Sequence, residues 1–526
     1  MAHIPLNLIL VLILKVFFSD AARILAVYPT PSISHQVVFR PITEELIKRG
    51  HEVVVVTPDP MFPKGQTPEN LTEIGVHDIA YSTFQVALTS SKMYEDNIIT
   101  QLDVMMSASF KGMDKILNVK EVKDLLKGED KFDLILTEQC VRLVVAFSEI
   151  YKVPLIQISS FGAMFTIYEA LGAPTHPFLY PNNMYQRVYN LTNLEKLEVL
   201  HMKYLFDKLM KRNEIKEDEI LQKYFPPGTP RAADLEKRVD MVFLNLNPIW
   251  EGNQPVPPNV IHLGGLPQKP NKPLPVVIYF QELESYLSSS KNGVIYISFG
   301  TNVKTSLLPP ERVKQIIAAF SKLPFDILWK WDTDELPEKS ANIRISKWLP
   351  QSDLLKHPKI KLFITQGGLQ SADETINAGV PVVVVPMLGD QWYNAEKYVH
   401  HGIGVQLEAK DITEESFSNA INTVIGNKSY RENIIKLRDR MYDQPQQPLE
   451  RAMWWIEYVM RHGGAKHLRS PAAFITWREY LELDLVAVVL SVFISIILVS
   501  VAVLYRLYKL LIKKNLAGVQ IKVKKS

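Results

Sequence analysis

Short runs of apolar residues without polar alternation recur along this chain and constrain its fold more than any other feature. Arg23–Tyr28 (RILAVY), His51–Thr57 (HEVVVVT), Phe132–Thr137 (FDLILT) and Pro154–Ser159 (PLIQIS) are too short for amphipathic helices and apolar on consecutive residues. A strand apolar on both faces must be covered on both, the condition of a parallel sheet between helix layers. The spacing agrees: a polar turn over Pro31–His35 and a helix over Val37–Arg49, stopped by Gly50, separate the first two runs. Met241–Asn245 reads as a further strand, and residues 160–235 as helical insertions shaping a pocket.

Eight prolines fall between Pro248 and Pro275, a density excluded from helix and sheet interiors, so a connection is placed there. Beyond it the rhythm restarts. Strands are expected at Gly293–Phe299, Asp326–Trp331, Lys361–Thr365 and Pro381–Pro386, with helices at Pro309–Leu323 and Leu369–Ala378. Two α/β domains joined by a proline-rich linker follow.

The ends carry different information. Residues 6–18 are apolar except for Asn7 and Lys15 and are followed by Ser19, Ala21 and Ala22, the pattern of a signal peptide cleaved near Ala21. Leu485–Tyr505 is 21 residues without a charge, enough for a helix of about 30 Å, the thickness of a bilayer core. Arg506, Lys509, Lys513 and Lys514 follow it, whereas Glu479, Glu482 and Asp484 precede it, so the short tail reads as cytoplasmic. With 59 basic and 56 acidic residues the charge is too balanced for a nucleic-acid binder. The one cysteine, Cys140, excludes an intrachain disulfide framework and any zinc site of several thiolates. No two-histidine metal spacing is present, and Asp332-Thr333-Asp334 reads as a solvated loop; no metal is expected.

Two glycine-marked strand ends suit a phosphate, because a turn before a helix exposes backbone N–H groups. One is Ser298-Phe299-Gly300-Thr301; the other is Thr365-Gln366-Gly367-Gly368-Leu369-Gln370-Ser371. Glu374 follows on the helix, where a carboxylate can accept from both hydroxyls of a ribose. Trp348 and Gln351 precede the second motif, offering an indole face for a base, and Asp390-Gln391 follow the next strand, where an acid and an amide suit sugar hydroxyls.

This ordered set resembles the signature of the UDP-glycosyltransferase family. Ser34-His35-Gln36 with FRPITEELIKRGHEVVVVTP resembles its opening, and Trp454-Trp455, Glu457-Tyr458, Arg461-His462-Gly463-Gly464 and Leu468-Arg469 its close. The apolar span and basic tail fit the membrane-bound animal branch, with an insect-like TQGG. The resemblance implies two Rossmann-like domains facing across a cleft, the GT-B glycosyltransferase fold, plus one C-terminal transmembrane helix. Its segments are 1–21 signal peptide, 22–250 acceptor domain, 251–275 linker, 276–445 UDP-sugar domain, 446–484 return helices and juxtamembrane segment, 485–505 membrane helix and 506–526 cytoplasmic tail.

By the same resemblance Trp348 stacks on uracil with Gln351 beside it, and Glu374 holds the ribose. Ser371 and the Gly367–Gly368 backbone hold phosphates, Ser298 and Thr301 line the diphosphate, and Asp390 and Gln391 hold the sugar. Gln366 stands where family members often carry histidine, so it can donate to a phosphate but cannot become cationic. His35 is the expected general base, a role histidine suits with its ordinary pKa of about 6.5. Glu138, where the family places aspartate, would orient it. Single displacement then turns an α-linked donor into a β-glycoside. Glucose is favoured over glucuronate, the UDP-sugar is a co-substrate and no cofactor is needed. The acceptor is a small lipophilic hydroxyl compound, with Phe161, Phe165, Tyr168, Phe178 and Tyr180 as pocket or core residues. A non-catalytic binder or partner subunit on the same scaffold, homo- or hetero-oligomeric, is the rival reading. Lys522-Val523-Lys524-Lys525-Ser526 resembles an endoplasmic-reticulum dilysine signal, implying lumenal catalytic domains, and Asn70, Asn190 and Asn427 head glycosylation sequons.

Overall fold

The computed structural model describes residues 21–90, 97–164, 166–267 and 278–523. Residues 1–20 of the proposed signal peptide, Phe165, residues 268–275 of the proline-rich stretch and the last three residues lie outside them. Residues up to Arg469 form one compact unit and Ser470 onward a second.

The first unit contains two all-parallel sheets. In chain order the first has β1 (Arg23–Val27), β2 (Glu52–Thr57), β3 (Leu71–Gly75), β4 (Leu134–Glu138), β5 (Leu155–Ser159), β6 (Met241–Leu244) and β7 (Val260–His262), arranged 3-2-1-4-5-6-7. The second has β8 (Val294–Ser298), β9 (Asp326–Lys330), β10 (Ile343–Ser346), β11 (Ile360–Thr365), β12 (Val382–Val384) and β13 (Gly404–Gln406), arranged 10-9-8-11-12-13. Both orders reverse beside their first strand, leaving a crevice at the carboxyl ends of β1 and β4, and of β8 and β11. The continuous apolar runs explain the burial: Leu25 and Val27 enter one core, while Ile24 and Ala26 enter the core on the opposite face.

Several expectations need correction. The expected Pro31–His35 turn is shorter, because α1 (Ile33–Lys48) begins directly after the prolines, with Ser32 extended as its N-cap. His35 therefore lies in the first helical turn rather than in a loop. Pro41 sits inside this helix, where it removes one backbone donor. The stretch expected to be wholly linker carries β7, paired in register with β6 through Val242–Val260, Phe243–Ile261 and Leu244–His262. Strands β3, β10 and β13, short or polar on alternate residues, were not legible.

The expected insertion contains α3 (Asn193–Tyr224), started by a capping box between Thr192 and Glu195. It follows α2 (Ile98–Ile116), and the two pack on each other. α4 (Leu369–Ala378) and α5 (Gln391–His400) flank the second sheet. The chain then returns to the first sheet: α6 (Pro448–Arg461) buries Ala452, Met453, Ile456 and Val459 in the core holding Ile24 and Val53, and Arg49 pairs with Glu457 at 2.6 Å. Trp455 packs on this core, whereas Trp454 is exposed and stacks on Tyr458. In the second unit α7 (Leu483–Val523) contains a stretch, Leu483–Lys514, long and apolar enough to cross a membrane.

The sequons divide. The Asn70 side-chain nitrogen donates to the carbonyls of Ile47 at 2.8 Å and His51 at 2.9 Å, so both its hydrogens are engaged within the fold. Asn190 and Asn427 are exposed.

Below the first sheet Arg142 is buried and donates to both carboxylate oxygens of Glu217 (3.2 and 2.5 Å), to Thr166 and to Glu236 (3.4 Å). Burial pushes Glu236 up to about 7 against the pull of Arg142. Arg142→Ala leaves two buried acids without their cation, so the expected loss is about 3–5 kcal/mol. Glu236→Gln removes a group already partly neutral at pH 7 and is expected to cost about 1 kcal/mol or less. Thermal melting of the detergent-solubilised chain checks this; equal losses would contradict it.

Candidate active site

The crevice of the first sheet holds His35 and Glu138. Glu138 ends β4 and is fully buried; His35 lies in the first turn of α1, past the loop that follows β1, and is 6% exposed. His35 Nδ1 and Glu138 Oε1 are 2.5 Å apart, and the Thr30 backbone N–H donates to Glu138 Oε2 at 3.1 Å. With Nδ1 donating to the carboxylate, Nε2 is the nitrogen left to take a proton. Phe161 meets the His35 ring edge to face at 4.8 Å, limiting its rotation. Cys140 completes a cluster in which single ligand atoms of His35, Glu138 and Cys140 lie within 4.8 Å, but burial pushes the thiol well above its usual range.

His35 lines a cavity of about 240 Å³. Its wall is mainly apolar: Leu102, Met105, Phe110 and Met113 come from α2, with Phe161 and Met184 from the loops. Arg142 and Glu217 form one polar stretch of it, and Asp390 and Gln391 of the second domain close it. Of the aromatic residues expected as pocket or core, Phe161 lines this cavity. Tyr168 packs against the core with its hydroxyl on Glu251, and Phe178 packs in a satellite cluster with Tyr185 and Val188.

The second sheet's crevice gathers most of the other expected residues. Ser298 ends β8, and the loop after it carries Gly300 in the left-handed region at φ 79°. A Cβ on Gly300 would stand 2.2 Å from the Gln366 side-chain nitrogen and push that amide aside, and the positive φ already favours glycine there. Thr365 Oγ1 donates to Gln366 Oε1 at 3.1 Å. Gly367 (φ 92°) and Gly368 then lead into α4, with Gly368 as its N-cap. Gln351 donates to Ser371 Oγ at 3.0 Å and Glu374 Oε2 at 2.7 Å, while Tyr296 donates to its carbonyl at 3.0 Å. Desolvation pushes the Glu374 carboxyl up to about 7, and burial with Glu374 beside it pushes Asp373 up to about 8. Trp348 is 59% exposed at the rim. Thr301 is the exception, lining a separate recess with Pro31, Phe84 and Lys304. Asp332 is also elsewhere, accepting from the Ser306 N–H and hydroxyl.

Asp390 and Gln391 begin α5. The Gln391 carbonyl accepts from the N–H groups of Met387 (2.8 Å) and Leu388 (2.9 Å), leaving its NH₂ to donate. Burial pushes Asp390 up to about 6, partly offset by Asn394 donating at 2.8 Å. Sequence reasoning missed Asn394, which also donates to the Gly367 carbonyl at 2.9 Å and accepts from the Trp250 indole at 3.3 Å. Its i+4 spacing from Asp390 was the available signal. The halves meet directly elsewhere: Gln101 on α2 binds the Met387 carbonyl (3.5 Å) and the Gly389 N–H (3.3 Å), and Gln370 donates to the Ser160 carbonyl at 3.0 Å.

An anion-suited crevice in one domain thus faces an imidazole–carboxylate pair in the other. Residues 23–517 match the model of the family described as "UDP-glucoronosyl and UDP-glucosyl transferase". An "Ecdysteroid UDP-glucosyltransferase" of Spodoptera littoralis nuclear polyhedrosis virus is 33% identical, over 91% of this chain and 96% of its own. "UDP-glucuronosyltransferase 2B17" of Mus musculus is 30% identical, over 92% and 93%. Among solved structures, a UDP-glucose: anthocyanidin 3-O-glucosyltransferase in complex with UDP has the same fold, with TM-score 0.57 and 18% identity over 85% of this chain and 100% of that one. The two crevices are accordingly those of a GT-B glycosyltransferase, and the chain belongs to the UDP-glucuronosyl and UDP-glucosyl transferase family.

Proposed function

We propose that the protein transfers a hexose, glucose in preference, from a UDP-sugar to a hydroxyl of a small lipophilic acceptor, with inversion. The observation that carries this reading is the 2.5 Å His35–Glu138 pair lining an apolar cavity that Asp390 and Gln391 close. The acceptor lies against α2 with its hydroxyl at His35 Nε2. As the acceptor oxygen bonds to the anomeric carbon, its proton passes to Nε2 and the bond to the β-phosphate breaks. Glu138 holds the ring and stabilises the imidazolium that forms. Trp348, Gln351 and Glu374 hold the nucleoside, Ser298, Gln366, Ser371 and the Gly367–Gly368 backbone hold the phosphates, and Asp390 and Gln391 hold the sugar. The reaction needs no metal in this form.

UDP-glucuronate is the second donor, favoured by the 30% identity to a glucuronosyltransferase. The proposed setting is the endoplasmic-reticulum membrane, with α7 as anchor, the first unit lumenal and a conjugating, detoxifying role.

Microsomes containing the protein, given UDP-glucose or UDP-glucuronate with a panel of phenols and lipophilic alcohols, are expected to release UDP only with an acceptor. His35→Ala should lower the rate about 10²–10⁴-fold, and Glu138→Gln about a hundredfold or more. Acceptor-independent or mutation-insensitive release would refute the assignment. In the lumen, mass spectrometry should find glycans at Asn190 and Asn427 and none at Asn70; a glycan at Asn70 would contradict the hydrogen bonding there.

The raised carboxyls give a pH signature. Asp390, Glu374 and Asp373 bind protons more tightly folded than unfolded, so their stabilising contribution is full below the ordinary carboxylate range. It is lost as pH rises through about 6, 7 and 8. The melting temperature of the unliganded enzyme should fall from pH 5 to 8.5, with a shallower fall in Glu374→Gln; the same slope in both would count against it.

A further inference from the structure

We propose that Lys330 is the cation of the donor site: it binds the diphosphate of the UDP-sugar and stabilises the departing UDP, supplying the charge that Gln366 cannot. This rests on the reading of the second crevice as the donor site.

Lys330 is the last residue of β9, the parallel neighbour of β8, so it leaves the sheet at the edge where Ser298 and Gly300 stand. Its side chain is half-buried. The ammonium donates to the Gly300 carbonyl at 2.7 Å and lies 5.1 Å from the centre of the Trp348 ring. No carboxylate pairs with it among the described residues. Asp332, the acid whose field it feels, is itself engaged by Ser306, at 2.9 Å from the N–H and 2.5 Å from the hydroxyl. Lys347, which directly precedes Trp348 in the chain, is paired with Asp334 at 2.7 Å.

An ammonium carries three N–H donors, and one is used here. Removing such a cation from water without a counter-ion is costly, and burial accordingly lowers its proton affinity. The arrangement is complete only with an anion. Its place is indicated by what adjoins it: the Gly300 loop rests on the Gln366 amide, and that amide rests on Gly368 at the mouth of α4. Lys330, Gly300, Gln366 and Gly368 form one continuous floor, between the indole face for the base and the backbone N–H groups for the phosphates. During transfer the acceptor oxygen bonds to the anomeric carbon and gives its proton to His35. The electron pair of the breaking bond moves to the β-phosphate oxygen. Charge accumulates on the diphosphate, where a fixed ammonium in a partly dry site acts most strongly.

The test separates phosphate from base by calorimetric binding of UDP and of uridine to the solubilised full chain. Lys330→Met is expected to weaken UDP about tenfold or more while uridine changes less than about threefold. Lys330→Arg should restore the UDP preference, and Lys330→Gln should repeat the loss if the methionine variant melts early. In the wild type the UDP-to-uridine affinity ratio should fall as salt is raised. Equal weakening of both ligands, or no weakening of UDP, overturns the proposal. A wild type that binds UDP no better than uridine instead overturns the reading of the crevice as a donor site.

Discussion

A parallel strand covered on both faces can present chemistry only at its ends, and everything functional in this molecule follows from that restriction. The strand bodies are spent on the two cores, so recognition falls to the residues just past each carboxyl end. Where the strand order reverses, connections depart to opposite sides and leave a gap. His35 and Glu138 face the gap of the first sheet; Ser298, Gly300 and Gln366–Gly368 face that of the second.

Within this frame charge is sparse and placed with care. The imidazole is tied at one nitrogen, and its carboxylate is tied in turn by a backbone N–H. Glu374, Asp373 and Asp390 are acids driven toward neutrality by burial, so the crevice is less negative than its composition implies. That suits an anionic ligand. Cationic side chains are mostly answered by nearby acids, which makes the lone ammonium of Lys330 conspicuous.

The β-strands with continuous valine, isoleucine and leucine were legible because nothing but a covered strand tolerates them; helix Leu369–Ala378 was legible from its glycines at both ends. The site residues that sit on glycine-marked strand ends were legible for the same reason. What escaped was settled by tertiary contact. Pro31–His35 read as a turn before a helix from Val37, whereas the helix starts four residues earlier, at Ile33, and takes in His35. The residues Val260–His262 are too few to register as a strand until β6 lies beside them. Lys330 carries no local signal of its role, since the Gly300 loop it binds lies 30 residues away across the sheet. Asn394 shows only its spacing from Asp390, and its Trp250 partner lies 144 residues away.

The bonds from Gln101 to the Met387 carbonyl and the Gly389 N–H join helix α2, the wall of the apolar cavity, to the segment that delivers Asp390 and Gln391. Gln370 makes a second such tie to Ser160. The two halves are therefore not interchangeable cassettes. A hybrid carrying the acceptor half of one relative and the donor half of another inherits a seam whose polar partners no longer correspond, and its choice of sugar and its choice of acceptor shift together.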